Sequence, residues 1–302
     1  MKDALEPRGA VPPLFPSNPP AAVKPVTVPE VRGAKGTARR LVMLTAYDHP
    51  TARLLDAAGV DILLVGDSVG DNVLGYSSTL PVTMEEMLHH TRAVGRGASR
   101  ALVVADMPYL SYQTGIRDAV RNGGRFLKEA GAAAVKIEGG RKRTRIVRAL
   151  VEAEIPVMGH LGLTPQSLHV MGGYRVQGKK VDEARALVAD AQALEEAGAF
   201  SIVLEGMPEP VGRAITKAIG IPTFGIGAGR FCDGQVLVFH DLVGLGAGPL
   251  PKFARAYARI GDAILEAAKR FAADVRSGAF PSESEVYSAP APLPPKAAGQ
   301  EP

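Results

Sequence analysis

The stretch LLVGDSVGDNVLG at residues 63–75 passes abruptly from an apolar run into an acid, Asp67, which is followed by small residues. Other short apolar runs of the chain share this character, because each is too short for a helix and is bounded by Gly, Pro or a charged residue. Such runs are typical of buried parallel strands. The eight predicted strands cover residues 41–48, 61–67, 101–106, 132–138, 155–160, 200–205, 221–227 and 236–244.

Amphipathic segments lie between most of these runs and predict helices. In residues 181–198 the apolar side chains recur at helical spacing, and Gly198 provides a C-terminal stop. Residues 120–131 form a second segment of this kind. Eight strands that alternate with helices favour an α/β fold closed into a (β/α)8 TIM barrel, with an open doubly wound sheet as the alternative.

Proline is concentrated at the two ends of the chain. Residues 1–32 hold eight of the 24 prolines and residues 281–302 hold six, although these segments are short. Pro-rich segments with few aromatic residues bury too little surface to offset their ordering entropy. We therefore predict Pro-rich flexible tails at residues 1–36 and 281–302, and a catalytic barrel of the usual size at residues 37–280.

The composition excludes several classes of protein. A hydrophobic fraction of 46% excludes a chain that is disordered throughout, and a net charge of +4 is too small to indicate a nucleic-acid partner. The chain lacks a secretory signal and an apolar stretch near the roughly 20 residues of a membrane span. Cys232 is the only cysteine and has no base nearby in sequence, so we interpret it as a bystander thiol. A single cysteine cannot form an intrachain disulfide, so we expect a cytoplasmic protein. We also expect no membrane partner.

The ends of the predicted strands carry the candidate site. In a parallel barrel all strands point the same way, so their C-terminal ends share one rim. The seventh run ends in the glycine loop GIGAG at residues 225–229, which lacks the spacing of a dinucleotide-binding fingerprint. Six other runs end on an ionisable residue, namely Asp48, Asp67, Asp106, Glu138, His160 and Glu205.

Converging carboxylates indicate metal-assisted chemistry, because they repel one another unless one is protonated or a cation lies among them. Asp67 and Asp106 are the best candidates for Mg²⁺ ligands, and Glu138 reaches far enough to bind directly or through water. A 2-oxo acid would chelate such a metal, which would stabilise its enolate, and Glu205 is available as the base. Lys136 lies two residues before Glu138 on the same strand face and could pair with the substrate carboxylate.

Each of these assignments has a structural alternative. Asp67 could cap the next helix, and for Asp48 capping is the better interpretation. Lys136 could simply neutralise Glu138. His160 could orient the loop that follows it through a backbone hydrogen bond and not act on a substrate. We favour a metal ligand at Asp67 because Asp106 and Glu138 occupy the same position, at the C-terminal ends of their own strands.

Eight motifs stand in order along the chain: TAYD (45–48), VGDSVG (65–70), STLPVT (78–83), VKIEGG (135–140), GHLGLTPQS (159–167), GGYRVQG (172–178), GIGAG (225–229) and DGQVLV (233–238). Together they closely resemble the motifs of the ketopantoate hydroxymethyltransferases. The resemblance implies a barrel of the phosphoenolpyruvate mutase/isocitrate lyase type, assembled as a homodecamer. It also implies hydroxymethyl transfer from 5,10-methylenetetrahydrofolate to 3-methyl-2-oxobutanoate, which yields 2-dehydropantoate for pantothenate and coenzyme A biosynthesis.

The same resemblance implies roles for single residues. Asp67 of VGDS and Asp106 after the third strand match the Mg²⁺ ligands of the family, and Glu138 of VKIEGG matches a residue in the metal's sphere. Ser68 and Lys136 match residues that contact the 2-oxo acid.

Two further matches complete the implied site. Glu205 matches the proposed base, and His160 of GHLGLTPQS matches a residue near the substrate.

The alternative function is that of another Mg-dependent 2-oxo acid lyase or aldolase of the same superfamily. The reactive-Cys loop typical of such lyases has no matching motif in this sequence. RKRTR at residues 141–145 is a basic cluster that the family pattern does not require, and we interpret it as a solvated helix face.

Overall fold

The computed structural model describes residues 24–246 and 248–287 of the chain. Eight parallel strands follow one another around a closed barrel, in which β1 also pairs with β8. The prediction of a closed (β/α)8 barrel is confirmed, and the open doubly wound alternative is wrong. The strands are β1 Leu41–Thr45, β2 Ile62–Val65, β3 Leu102–Asp106, β4 Ala134–Glu138, β5 Val157–Gly162, β6 Ser201–Glu205, β7 Thr223–Ile226 and β8 Gly234–Leu237.

Helices connect the strands. They are α1 Val28–Gly33, α2 His49–Ala57, α3 Val69–Asn72, α4 Met84–Gly97, α5 Ile116–Ala130, α6 Thr144–Glu152, α7 Leu168–Met171, α8 Val181–Glu196, α9 Glu209–Ala218, α10 Phe239–Val243 and α11 Ile260–Ser277. Both helices predicted from amphipathic spacing are present, as α5 and α8. Among the helices of the described ranges, none combines the length and the apolar character that crossing a membrane requires.

The eighth predicted strand differs from the structure in its extent. Residues 236–244 were predicted as one strand, but β8 ends at Leu237 and the rest of the run forms α10. The backbone N–H of Phe239 donates to the hydroxyl of Thr45 where this helix begins. A short apolar run fits both a buried strand and a buried helix, so its periodicity alone could not place this boundary.

The N-terminal boundary also differs. The predicted flexible tail extends to residue 36, but residues 28–33 form α1, which begins with a capping box between Thr27 and Glu30. Val31 of this helix is fully buried among side chains of the barrel interior, so the packed body begins before residue 37. Within the predicted C-terminal tail, Glu283–Glu285 form a short 3₁₀ helix that Ser282 caps. Residues 1–23 and 288–302 of the predicted tails lie outside the described residues.

The barrel interior positions the site. Its lower layers are apolar and include Leu102, Val104, Ala134, Met158, Val203 and Phe224. Side chains two residues apart on a strand point to the same face, so the inward face of β3 continues from Val104 to Asp106. On β5 it continues in the same way from Met158 to His160. The polar strand ends are therefore held above a rigid, close-packed base.

Asp56 ties α2 to the segment that leads into β3. Its carboxylate accepts backbone N–H groups from Ser99 at 3.1 Å, Arg100 at 3.0 Å and Ala101 at 2.6 Å, and the hydroxyl of Ser99 at 2.7 Å. Burial raises the pKa of this carboxyl group, but the hydrogen bonds outweigh burial and lower the pKa overall. The ionised carboxylate is therefore the form that joins the two elements.

We expect Asp56→Ala to lower the free energy of unfolding by about 2–3 kcal/mol, because it leaves several partly buried N–H groups without an acceptor. Urea denaturation of the metal-free protein would measure this as a lower midpoint. Asp118→Ala is the matched control, because the Asp118 carboxylate accepts a hydrogen bond from the exposed hydroxyl of Thr114. Equal midpoints for the two variants would contradict the structural role of Asp56.

Candidate active site

A cavity of about 540 Å³ opens at the C-terminal ends of the strands. The residues of its wall include six that were predicted from the strand ends and the motifs, namely Asp67, Ser68, Asp106, Glu138, His160 and Glu205. Within the described part of the chain, the wall does not include Lys136, which is 5% exposed and lies deeper in the barrel. The structure therefore brings side chains from β3, β4, β5 and β6 and from the turn after β2 to one place.

A hydrogen bond from the backbone of Asp67 links this residue to the carboxylate of Asp106. The N–H of Asp67 donates to Oδ2 of Asp106 at 3.1 Å, and both carboxyl groups are buried. Asp67 does not cap the following helix, because the N-cap residue of α3 is Ser68. The Asp67 carboxylate instead accepts a hydrogen bond from Gln166. The capping alternative for Asp67 is therefore wrong.

Lys136 pairs with a different acid from the one suggested by the sequence. Strand register places Asp106 beside Lys136 and Glu138 beside His160. The ammonium group of Lys136 lies 2.9 Å from Oδ1 of Asp106 and 3.3 Å from Nδ1 of His160. The alternative in which Lys136 simply neutralises Glu138 is not what the geometry shows.

His160 lies between two carboxylates at the base of the cavity. Its Nδ1 is 3.3 Å from Oε1 of Glu138 and its Nε2 is 3.1 Å from Oε2 of Glu205. Burial and the charge of Lys136 lower the pKa of the imidazole, but interactions with Glu138 and Glu205 outweigh them and raise it to about 9. The two carboxylates therefore favour the protonated, cationic form of the ring that lies between them.

The charges of the site favour an added cation. Burial raises the pKa of Asp67 well above its usual range, and the carboxylates of Asp106 and Glu138 raise it further. Burial lowers the pKa of Lys136, but the three surrounding carboxylates outweigh burial and raise it. The Lys136 ammonium group therefore remains charged, yet it does not offset the repulsion at Asp67.

The donor set fits a hard divalent ion with few protein ligands. Across residues 24–246 and 248–287, no three Asp, Glu, His or Cys side chains are arranged to hold one metal ion together. Mg²⁺ binds oxygen, often through one or two carboxylates, and keeps several waters. The pair Asp67 and Asp106 fits this requirement, and Glu138 lines the same cavity.

Ser68 is held by an aromatic neighbour. Its hydroxyl lies 2.9 Å from the hydroxyl of Tyr47, which is buried, and burial raises the pKa of this phenol. Gly66 leaves room for the pair, because a Cβ at this position would lie 2.7 Å from Oγ of Ser68 and 3.6 Å from Oδ2 of Asp106. A side chain at residue 66 would therefore force the Ser68 hydroxyl to move, whereas it would lie in ordinary contact with Asp106.

Sequence reasoning did not single out Gln166, Tyr112 or Tyr174. Gln166 donates to Asp67 and bonds to Tyr112, and Tyr174 lines the cavity while remaining 55% exposed. All three lie on loops that follow strands, where no hydrophobic period indicates which side chain points inward. The only signal in the sequence was that Gln166 and Tyr174 fall within the motifs at residues 159–167 and 172–178.

Other residues named from the sequence lie outside the site. Asp48 caps α2 by accepting the N–H of Thr51 at 2.7 Å, as its position indicated. Cys232 is buried, and burial raises the pKa of its thiol, which agrees with a bystander role. In the basic cluster, Arg141 pairs with Asp190 at 2.8 Å.

Comparison with known proteins identifies close relatives. The family model described as ketopantoate hydroxymethyltransferase matches residues 25–283. The 3-methyl-2-oxobutanoate hydroxymethyltransferase of Trichlorobacter lovleyi is 54% identical over 265 residues, which cover 88% of this chain and 99% of the relative. The enzyme of that name from Moorella thermoacetica is 54% identical over 262 residues, covering 87% and 97% of the two chains.

Solved structures of lower similarity share the fold. A 2,3-dimethylmalate lyase, described as a PEP mutase/isocitrate lyase superfamily member, superposes with a TM-score of 0.55 at 18% identity, covering 86% of this chain and 91% of its own. A phosphoenolpyruvate phosphomutase from Streptomyces platensis subsp. rosaceus gives 0.56 at 17% identity, covering 87% and 92%. These likenesses confirm the predicted barrel type.

Proposed function

This chain belongs to the ketopantoate hydroxymethyltransferase family, and we propose that its cavity transfers a hydroxymethyl group from 5,10-methylenetetrahydrofolate to 3-methyl-2-oxobutanoate. It is an enzyme, and hydroxymethyl transfer is its reaction class. The observation that carries the proposal for this cavity is the convergence of Asp67, Asp106, Glu138 and Glu205 around His160 at the barrel mouth. The product would be 2-dehydropantoate, for pantothenate biosynthesis.

We propose that Asp67 and Asp106 hold one Mg²⁺ ion, with Glu138 acting through water. Burial raises the pKa of Asp67, and repulsion from Asp106 and Glu138 raises it further. The support for the proposal is this repulsion, which a divalent cation would relieve. When bound, the metal would polarise the ketone oxygen of the 2-oxo acid and stabilise the negative charge that develops there.

The protein's own groups would position the 2-oxo acid and move its proton. The hydroxyl of Ser68 and the cationic ring of His160 face the cavity and suit a carboxylate. Lys136 lies deeper, so we propose that it acts on the substrate chiefly by fixing Asp106. Glu205 is the proposed base, which removes the C3 proton so that C3 can attack the one-carbon unit of the folate.

A homo-oligomer is the proposed state of the protein. In the single chain, none of the residues of α11 is buried, and its apolar side chains Ile264, Leu265 and Phe271 are 54%, 55% and 55% exposed. Exposed apolar surface of this kind favours association. We propose that other copies cover α11 within the homodecamer implied by the family resemblance, which sedimentation velocity would test.

Product analysis tests the proposed reaction and its metal. With Mg²⁺, 3-methyl-2-oxobutanoate and 5,10-methylenetetrahydrofolate, we expect 2-dehydropantoate and tetrahydrofolate in equal amounts. Treatment with EDTA should remove this activity and Mg²⁺ should restore it, because the carboxylates of the site would then lack the cation that relieves their repulsion. Full activity after exhaustive EDTA treatment would contradict the metal assignment.

The same assay separates the transferase from the alternative function. A 2-oxo acid lyase or aldolase of the superfamily would consume a 2-oxo acid by carbon–carbon cleavage without any folate. For this protein we expect no cleavage products when folate is omitted, whereas the C3 proton of 3-methyl-2-oxobutanoate should still exchange with deuterated water. Cleavage without folate would favour the lyase.

A further inference from the structure

Gln166 lies at the centre of a buried hydrogen-bond network beside the proposed metal site. It belongs to a short 3₁₀ helix, Pro165–Ser167, just after β5, and is 8% exposed. Its Nε2 donates to Oδ2 of Asp67 at 2.9 Å and to the carbonyl of Met107 at 2.9 Å. Its Oε1 accepts the hydroxyl of Tyr112 at 2.7 Å and Nε2 of Gln113 at 3.1 Å.

These bonds determine which way the amide points. A glutamine amide has two N–H donors and an oxygen with two lone pairs, and all four are used at Gln166. Turning the amide over would place its oxygen against the Asp67 carboxylate and the Met107 carbonyl, leaving buried groups without partners. The donor that faces Asp67 is therefore held in place by neighbours that are not acids.

The same residue also reaches a second acid of the site. The backbone N–H of Gln166 donates to Oε2 of Glu138 at 3.0 Å, and the hydroxyl of Tyr112 accepts the backbone N–H of Glu138 at 3.0 Å. One loop residue thus orients Asp67 through its side chain and Glu138 through its main chain. Because an amide is neutral, it stabilises ionised carboxylates without adding a charge that would repel a cation.

We propose that Gln166 is a positioning residue that orients Asp67 and Glu138 for divalent-metal binding, with Tyr112 as its anchor. The proposal rests on the proposed metal site. Gln166 holds Oδ2 of Asp67 and Oε2 of Glu138, which leaves Oδ1 of Asp67 for an ion. The other oxygen of Glu138, Oε1, lies 3.3 Å from Nδ1 of His160. Partners of this kind, which hold a ligand in place without touching the metal, typically change metal affinity about 10–100-fold when removed.

Binding of Mn²⁺ alone to the full-length, metal-free protein tests the proposal. Free Mn²⁺ can be followed by its electron paramagnetic resonance signal, without substrate and without turnover. We expect Gln166→Met, which keeps the volume but removes the amide, to raise the Kd for Mn²⁺ about 10–100-fold. Raising the Mn²⁺ concentration should then recover much of the lost kcat, which a general loss of structure would not allow.

Matched variants make the result specific. Gln235→Met removes the same kind of side chain from β8, where its amide donates to the carbonyl of Gly229 outside this network, and should leave the Kd close to wild type. Tyr112→Phe keeps the ring but removes the anchoring hydroxyl, so it should raise the Kd in the same direction as Gln166→Met, and it remains informative if that variant does not fold. Urea midpoints report folding in each case.

The outcomes distinguish the positioning role from the metal site itself. Wild-type Mn²⁺ affinity in both Gln166→Met and Tyr112→Phe overturns the positioning role, provided that Asp67→Asn loses the ion. If Asp67→Asn also binds Mn²⁺ as the wild type does, the metal assignment has failed and the positioning role fails with it. Equal losses of Mn²⁺ affinity in Gln235→Met and Gln166→Met would likewise count against a specific role for Gln166.

Discussion

Asp106→Asn is expected to abolish Mg²⁺ binding and to lower kcat/KM by about 10³-fold, because metal stabilisation of the transition state is worth several kcal/mol. Asp106 is the most constrained acid of the site. Its Oδ2 accepts the backbone N–H of Asp67, and its Oδ1 lies 2.9 Å from the Lys136 ammonium group. The carboxylate therefore orders the turn that presents Asp67, in addition to its proposed role as a ligand of the ion.

Asparagine cannot replace the Asp106 carboxylate, for two reasons. It removes the negative charge that a divalent ion requires, and its NH₂ group must face either the Lys136 ammonium or the Asp67 N–H, both of which are donors. Two donors placed against each other in a buried site leave one of them unsatisfied, at a cost of about 1–3 kcal/mol. We therefore expect a lower urea midpoint together with the loss of metal.

Calorimetric titration with Mg²⁺ and steady-state kinetics would measure these effects. Asp71→Asn is the matched control, because Asp71 lines the same cavity but follows no strand directly and has no assigned role in the reaction. It should bind Mg²⁺ with nearly unchanged affinity. An Asp106→Asn protein that binds Mg²⁺ as tightly as the wild type would show that the ion lies elsewhere.

The strand-end acids were predictable from the sequence because two general rules place them. Parallel strands of a barrel share one rim, and alternation along each strand selects the inward face. Asp106, Glu138 and His160 follow from these rules alone. The register between strands is not encoded in a single run, which is why the pairing of Lys136 with Asp106 emerged only from the structure.

The loop residues were not predictable in this way. Gln166 and Tyr112 reach the site from segments after β5 and β3, and the path of a loop depends on the tertiary contacts that it makes. The predicted limits of the N-terminal tail and of the eighth strand were wrong for a related reason, because they overlap α1 and α10. Residues 28–33 were interpreted as part of a Pro-rich tail, although Val31 packs among the side chains of the barrel interior. The apolar run at residues 236–244 fits a strand and a helix equally well.

Glu205→Gln is expected to lower the rate of C3 deuterium exchange in 3-methyl-2-oxobutanoate by about 10²–10⁴-fold, the usual contribution of a general base. Glu205 ends β6, lines the cavity, and lies 3.1 Å from Nε2 of His160. Its neighbour across the strands is Gly162, at which a Cβ would lie 2.1 Å from the carbonyl oxygen of Glu205. The glycine therefore permits the close approach that sets the position of the acid.

Glutamine preserves this geometry and removes only the basicity. Its amide has nearly the shape of the carboxylate and can keep the 3.1 Å approach to Nε2 of His160, so the variant should bind the 2-oxo acid and Mn²⁺ with near wild-type affinity. NMR of the substrate in deuterated water, with metal and without folate, would measure exchange apart from hydroxymethyl transfer. Glu209→Gln is the matched control, because Glu209 is the first residue of α9, the helix after β6, and pairs with Arg230 on the surface. Exchange at the wild-type rate in Glu205→Gln would mean that another group removes the C3 proton, since this substitution leaves every other contact of the cavity in place.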